Sequence, residues 1–215
     1  MLNKMINILA PTNTPNEVEQ LIKAGADELY CGVISKDWNK SYTNIGSVNR
    51  REFKVSNLRS FDELRQVVKI AHSYNVPVFF TMNAFYSRRQ FELVLKEAKE
   101  AINCNIDAVV VADINLLLKL EKIKNEIDLH MSSGATIFNS RTAKFYQDLG
   151  VQRIILPRHL TLTEMKEISK TKKIDMEVFI MNTRCMNIDG FCTYQHGVNE
   201  VKNANLGNLM KKIHL

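Results

Sequence analysis

Residues 103–113, which read NCNIDAVVVAD, decide the fold. Asn103 and Asn105 stand where a helix would end, because asparagine tolerates the left-handed conformation that closes many helices. The following AVVVAD is apolar at successive positions, so both faces of a strand there would be buried. Such a strand is typical of a parallel sheet covered by helices, whereas a half-exposed antiparallel strand would alternate. The stretch therefore predicts a helix-to-strand junction of an α/β protein.

The same junction recurs along the chain, at Ala24-Gly-Ala-Asp27 and at Leu149-Gly-Val151. Short apolar runs alternate with segments of helical periodicity, which predicts strand-helix units in series. The predicted strands are Ile6–Ala10, Glu28–Cys31, Val78–Asn83, Ala108–Asp113, Asp128–Ser132, Arg153–Pro157 and Met176–Asn182. The predicted helices cover about 14–24, 60–74, 87–103, 114–126, 139–148 and 161–171, and several begin after a capping residue such as Ser60 or Thr161.

This order of elements predicts an α/β fold of the TIM-type (β/α) barrel. A doubly wound open sheet shares the local pattern, but no glycine-rich nucleotide fingerprint follows the first strand. Seven strands are recognisable and an eighth is not, so the barrel is expected to be incomplete at its C-terminus. Either a missing C-terminal part completes the barrel, or it is a short form closed by residues 203–215 or by a partner chain. An exposed barrel edge would invite dimerisation. The long stretch 33–59 is predicted as one loop.

Composition indicates one globular domain over residues 1–215, with 182–215 as a cysteine-containing C-terminal segment. The chain has 215 residues, of which 45% are hydrophobic and 24% charged. No apolar run approaches the ~20 residues that span a bilayer, and the N-terminal run is too short for a signal peptide. A cytoplasmic location is expected. The net charge of +6 permits an anionic substrate or RNA as partner, although a solvated lysine-rich surface would give the same charge.

Polar residues gather at the carboxyl ends of the predicted strands, which is the reactive face of a barrel. His130 and His159 could equally be satisfied structural histidines, and an Asn or Asp after a strand is often only a cap. The candidate catalytic residues are Asn83, Asp113, His130, Arg158 and His159. Four basic residues on the same face, Arg50, Arg51, Arg88 and Arg89, are candidate substrate-binding residues.

Two cysteines form the most informative cluster. Cys185 and Cys192 stand seven residues apart in a turn-forming context after the last predicted strand, which suits a metal or iron–sulfur site. Such a site needs about four ligands. Cys31 is a weaker third candidate, and Cys104, at a helix exit, is expected to be structural. Two unligated cysteines on a loop remain the alternative.

The sequence resembles peptidase family U32, the collagenase-like protease group, through the order and spacing of several motifs. The stretch 24–32, AGADELYCG, is similar to the family's GAD-x-(V/L)-Y-x-G, and 149–158, LGVQRIILPR, resembles its LGVxRVVLxR. HMSS at 130–133 is similar to its HLST, and Met176-Glu-Val-Phe-Ile with Cys185 and Cys192 resembles its cysteine-containing region.

The resemblance implies a TIM-type barrel and oxygen-independent hydroxylation of an RNA base or a small aromatic metabolite. It also implies a [4Fe–4S] cluster on four cysteines, and Cys185 and Cys192 match two of those positions. The sequence departs from the family at Asn182, where a His is usual, and at His159, where a Glu is common. The alternatives are collagenase-like proteolysis, although HExxH and GxSxG motifs are absent from the sequence, and a non-catalytic RNA-binding barrel.

Overall fold

The protein is described by a computed structural model that covers residues 6–42, 48–51, 56–123, 127–171 and 173–180, together with Asp189. Its centre is one sheet of seven parallel strands. The strands are β1 (Leu9–Pro11), β2 (Glu28–Cys31), β3 (Val78–Met82), β4 (Ala108–Val111), β5 (Asp128–Met131), β6 (Arg153–Ile155) and β7 (Asp175–Glu177). Each strand pairs with the next one along the chain.

Strand order separates the two architectures that the sequence left open. A doubly wound sheet reverses its order at a switch point, whereas here the order runs from β1 to β7 without reversal. The sheet is also curled, because Arg153 on β6 reaches Glu28 on β2, four strands away, at 2.6 Å. The barrel-type α/β fold is therefore confirmed, in the form of a half-barrel. The described residues contain no eighth strand.

Helices follow the strands and cover the outer face of the sheet. They are α1 (Val18–Lys23), α2 (Lys36–Ser41), α3 (Phe61–Ser73), α4 (Phe91–Ile102), α5 (Ile114–Leu120), α6 (Ser140–Asp148) and α7 (Leu162–Ile168), with short 3-10 turns at Pro15–Glu17, Glu121–Ile123 and Ser133–Ala135. The six predicted helices are all present. The seventh, α2, lies inside the stretch 33–59, so the prediction of one long loop there is wrong. None of the helices in the described ranges is long and apolar enough to cross a membrane.

Helix ends follow the predicted local rules. The Ser60 side chain accepts a hydrogen bond from the Glu63 N–H and caps α3. Thr161 and Glu164 form a reciprocal capping box on α7. At the helix exits Gly25, Asn105 and Gly150 have φ values of 105°, 61° and 83°. These left-handed residues turn the chain sharply into the next strand.

The main apolar core lies between the sheet and its helices. Leu29, Phe80, Val109 and Met131 project from the strands into this layer and are no more than 1% exposed. Trp38 of α2 is fully buried in the same layer, against the rings of Tyr42 and Tyr86. Among the described residues, the inner, concave side of the sheet carries a smaller apolar cluster of Phe79, Ala108, Val110 and Ile155, with Leu9 and Tyr30 packed against it. The concave side is therefore the part of the molecule where polar groups have room.

Candidate functional site

The amino end of the concave surface carries a buried charged cluster. Arg153 donates to both carboxylate oxygens of Glu28, at 2.6 and 2.9 Å, and lies 3.7 Å from a Glu177 oxygen. Asn7 donates a further hydrogen bond to Glu28 at 2.9 Å. Burial raises the pKa of Glu177 to about 7, because the desolvation of its carboxylate outweighs the attraction of Arg153. In barrels this end of the strands serves stability.

His130 lies beside this cluster, on the middle of β5. Its ring is 3% exposed and meets the Phe79 ring edge-on, with centroids 4.6 Å apart. Burial, with the nearby positive charge of Arg153, lowers the pKa of His130 to about 3, so the imidazole is neutral at physiological pH. Its Nδ1 has no hydrogen-bond partner among the described residues. The structure therefore places this candidate catalytic residue with the buried cluster, and its part in catalysis stays a prediction.

Asn83 lies at the carboxyl end of β3 and joins three elements. Its Oδ1 accepts a hydrogen bond from the Arg50 N–H at 2.9 Å. Its Nδ2 donates to Ser132 Oγ, just after β5, at 3.3 Å. The structure thus brings the candidate catalytic Asn83 and the candidate substrate-binding Arg50 together at this end of the half-barrel, which we call the mouth.

Arg51 adds a partly buried positive charge to the mouth. Its guanidinium lies 4.7 Å from the centre of the Tyr30 ring, and its Nη2 donates to Asn13 Oδ1 at 2.7 Å. Its Nε donates to the Ser56 carbonyl at 2.5 Å. Burial lowers the pKa of Arg51 from its ordinary high value. Among the described residues no carboxylate forms an ion pair with it, so the charge is available to an anionic ligand.

Gly32 lets the segment around Asn49 and Asn57 approach the end of β2. The Asn49 amide donates to Asn57 Oδ1 at 2.8 Å, and Thr81 Oγ1 donates to the Cys31 carbonyl at 3.0 Å. A Cβ on Gly32 would lie 2.5–2.8 Å from Asn49 Nδ2, Asn57 Oδ1 and Thr81 Oγ1. Only glycine fits at this position, so the close packing at this end of β2 requires a residue without a Cβ.

Asp113 caps α5 in the structure. Its Oδ1 accepts hydrogen bonds from the N–H groups of Asn115 and Leu116, at 2.9 and 3.0 Å. Its Oδ2 accepts from the Tyr86 N–H at 3.2 Å. Three backbone donors thus hold the carboxylate, and it fixes the loop after β3 against the start of α5. A reacting role for Asp113 stays a prediction beside this positioning role.

We expect Asp113→Ala to lower the free energy of unfolding by about 1–2 kcal/mol, because it removes a helix cap. Asp113→Asn should cost less, since asparagine caps the helix equally well and only the hydrogen bond from the Tyr86 N–H is lost. Urea denaturation of the three proteins checks both values. If Asp113→Asn is as stable as the wild type but inactive, the carboxylate itself takes part in the reaction. Equal destabilisation by both substitutions would contradict the capping role.

Arg158, at the carboxyl end of β6, is paired with Asp189. Its Nη2 and Nε donate to Asp189 Oδ1 at 2.6 and 3.0 Å, and its backbone N–H lies 3.4 Å from Oδ2. Asp189 is 9% exposed. In the sequence Asp189 lies between Cys185 and Cys192. Asp189 is not among the residues predicted for the site, although its position inside a two-cysteine turn is a signal that the sequence contains.

The other candidate residues on loops of this face are exposed. His159 follows Arg158, and its ring centre is 6.2 Å from that of Phe138. Arg88 and Arg89 lie in the loop after β3. The described structure does not bring His159 into contact with Asn83 or Asp113, so the predicted catalytic residues do not form one connected group.

The cysteines differ in their surroundings. Cys31 is fully buried among the helix-facing side chains, and burial raises the pKa of its thiol to about 12. Cys104 is buried and its thiol donates to the Glu100 carbonyl at 3.2 Å. Both are core cysteines, and we leave Cys31 out of the proposed ligand set. Cys185 and Cys192 lie outside the described residues, and the residues that are described contain no metal-binding group of His, Cys, Asp and Glu.

A curled parallel sheet with polar side chains at its carboxyl ends defines a TIM-barrel-related α/β protein. The chain belongs to peptidase family U32, whose model matches residues 13–212. An uncharacterised protease of Methanocaldococcus jannaschii is 30% identical, over 96% of this chain and 48% of its own length. A tRNA hydroxylation protein P of Helicobacter pylori is 26% identical, over 87% of this chain and 42% of its own.

A third relative is the 23S rRNA 5-hydroxycytidine C2501 synthase of Escherichia coli, which is 26% identical over 89% of this chain and 26% of its own length. The chain therefore spans less than half the length of these curated relatives. The solved structure of a U32 peptidase matches with a TM-score of 0.62 and 15% identity, over 83% of this chain and 70% of that one. This structural likeness supports the half-barrel fold.

Proposed function

We propose that this chain is the barrel part of an oxygen-independent RNA hydroxylase with an iron–sulfur cluster. Two relatives are described as hydroxylating tRNA or rRNA. The observation that carries the proposal to this chain is the pairing of Arg158 with Asp189. Asp189 follows Cys185 by four residues and precedes Cys192 by three. Both cysteines are thus within four residues of Asp189, which Arg158 holds at the mouth.

In this proposal Cys185 and Cys192 hold iron, and the cluster would supply electron transfer. The two buried cysteines do not fit the remaining positions, because Cys31 and Cys104 face the apolar core. In this proposal a four-ligand cluster therefore takes its other two ligands from outside residues 1–215. In this proposal the described residues of the chain bind the substrate. Arg51 provides a positive charge at the mouth, and Asn83 provides an amide group held in place by its hydrogen bonds.

Iron analysis tests the proposal. After anaerobic purification and reconstitution, we expect bound iron and acid-labile sulfide in the wild type. Cys185→Ala and Cys192→Ala should each lose most of the iron, because each removes a thiolate ligand. Cys104→Ala is the matched control and should keep it. A folded wild-type protein that stays colourless and free of iron would contradict the iron–sulfur proposal.

Proteolysis is the second candidate function, because one relative is described as a protease. Peptide hydrolysis needs an activated nucleophile or a metal-bound water. Among the described residues no Ser or Cys side chain forms a hydrogen bond with a histidine. Cleavage of gelatin that is insensitive to zinc chelators and lost on Cys185→Ala would favour this function over hydroxylation.

A non-catalytic RNA-binding barrel is the third candidate, since it needs only the basic residues of the mouth. It predicts RNA binding that weakens steeply with salt, as for any contact with phosphates. It differs from the first candidate in requiring neither iron nor Cys185. RNA binding by an iron-free wild-type protein, together with unmodified RNA, would favour this reading.

A further inference from the structure

The loop between β3 and α4 exposes one aromatic ring at the mouth. Phe85 is 51% exposed, whereas its neighbour Ala84 is 8% exposed. The loop begins at Asn83, which contacts the Arg50 N–H and Ser132. Phe85 therefore lies two residues from a side chain that is fixed at the rim of the half-barrel.

Contacts on both sides of Phe85 hold this loop in place. The Tyr86 hydroxyl donates to the Val48 carbonyl at 2.6 Å, and its N–H donates to Asp113 Oδ2 at 3.2 Å. The N–H and hydroxyl of Ser87 donate to Gln90 Oε1 at 2.8 and 2.9 Å. Because the neighbours are anchored, the Phe85 ring is presented to solvent by a fixed backbone.

Positive charge follows the ring directly. Arg88 and Arg89 are both exposed, three and four residues after Phe85. Within the described part of the chain neither forms an ion pair with a carboxylate. Ile114, at the start of α5, is 44% exposed, and its loop is joined to this one by the bond between Tyr86 and Asp113. Phe85, Arg88, Arg89 and Ile114 are thus exposed on two loops that this bond joins, and we call these four residues the patch.

We propose that Phe85, Arg88 and Arg89 form a platform for one unpaired RNA nucleotide that flanks the nucleotide entering the mouth. The base stacks on the Phe85 ring, and Arg88 and Arg89 bind the adjacent phosphates. The inference rests on the proposed function in taking RNA as the ligand. The patch fits a polyanion because its charges are positive, and it fits a single strand because stacking needs the open face of an unpaired base.

Binding of a fluorescent oligoribonucleotide to the full chain tests the platform. Phe85→Ala should weaken single-strand binding about ten-fold, while Phe85→Tyr should stay within about two-fold, since tyrosine also stacks. Phe145→Ala is the matched control: Phe145 is 49% exposed on α6 and should not matter. The double substitution of Arg88 and Arg89 by Ala should make the binding constant less dependent on salt concentration, by the amount expected for the loss of about two phosphate contacts. Binding to the same sequence as a duplex should not depend on Phe85.

Unchanged single-strand binding by Phe85→Ala, or an equal loss with Phe145→Ala, would overturn the platform. So would a wild-type chain that binds no RNA but retains another protein through this patch. Iron content, measured on the same samples, should be equal in the wild type and Phe85→Ala. Absent iron with binding that still depends on Phe85 would remove the proposed hydroxylase and leave the platform standing.

Discussion

Arg153→Met should lower the free energy of unfolding by about 3–5 kcal/mol, the cost of breaking a buried ion pair from one side. Arg153 is the counter-ion of Glu28, whose side chain is 6% exposed, and it also attracts Glu177. Removing Arg153 would leave the carboxyl groups of Glu28 and Glu177 inside the half-barrel without their positively charged partner. Urea denaturation at neutral pH measures the loss.

Two comparisons make the Arg153 experiment specific. Arg65 pairs with Asp62 and Glu100 on the surface, where its side chain is 46% exposed. Arg65→Met should cost no more than about 1 kcal/mol, because solvent screens exposed pairs. Adding Glu28→Gln to Arg153→Met should recover part of the loss. If Arg153→Met costs as little as Arg65→Met, the interior pair does not stabilise the fold.

Gly32→Ala should have the second large effect, a destabilisation of about 3 kcal/mol. The added methyl group would lie 2.5–2.8 Å from three atoms, and these belong to the short side chains of Asn49, Asn57 and Thr81. None of the three side chains is long enough to move away without breaking its hydrogen bonds. We therefore expect residues 48–51 and 56–58 to separate from β2, with a lower melting temperature and faster proteolysis between positions 48 and 58.

Gly25→Ala is the control for the Gly32 substitution. Gly25 has a φ of 105° but no atom within 4 Å of an added Cβ. Alanine there should cost only the strain of a left-handed residue, about 1–2 kcal/mol. Proteolysis at residues 48–58 should be unchanged in Gly25→Ala. Similar proteolysis in both variants would show that the close contact at Gly32 is not what holds the segment.

Local signals in the sequence predicted most of the fold. The Ser60 and Thr161 caps and the left-handed Gly25, Asn105 and Gly150 mark helix boundaries through interactions between residues a few positions apart. These local interactions form independently of the tertiary structure around them. The buried run Ala108–Val111 likewise predicted a central strand. The uninterrupted strand order did not follow from these elements alone, because a doubly wound sheet is built from the same strand-helix units.

Long-range contacts could not be predicted in the same way. The residues around Glu28 predict only the start of a strand after a helix exit, and nothing near it in sequence indicates an ion pair with Arg153. The sequence predicts a loop around Trp38, yet this residue is fully buried on the short helix α2. The pairing of Arg158 with Asp189 depends on the chain returning to the end of β6. Each of these contacts exists only once the sheet has curled.

The pairing of Glu28 with Arg153 also bears on how the chain reaches its native state during synthesis. The two residues are 125 positions apart, and chains elongate at about 5–20 residues per second. For about 6–25 seconds the emerging strand β2 carries a carboxylate whose counter-ion does not yet exist. An early, stable N-terminal intermediate is therefore disfavoured, and we expect the inner surface to assemble late, when β6 joins the sheet.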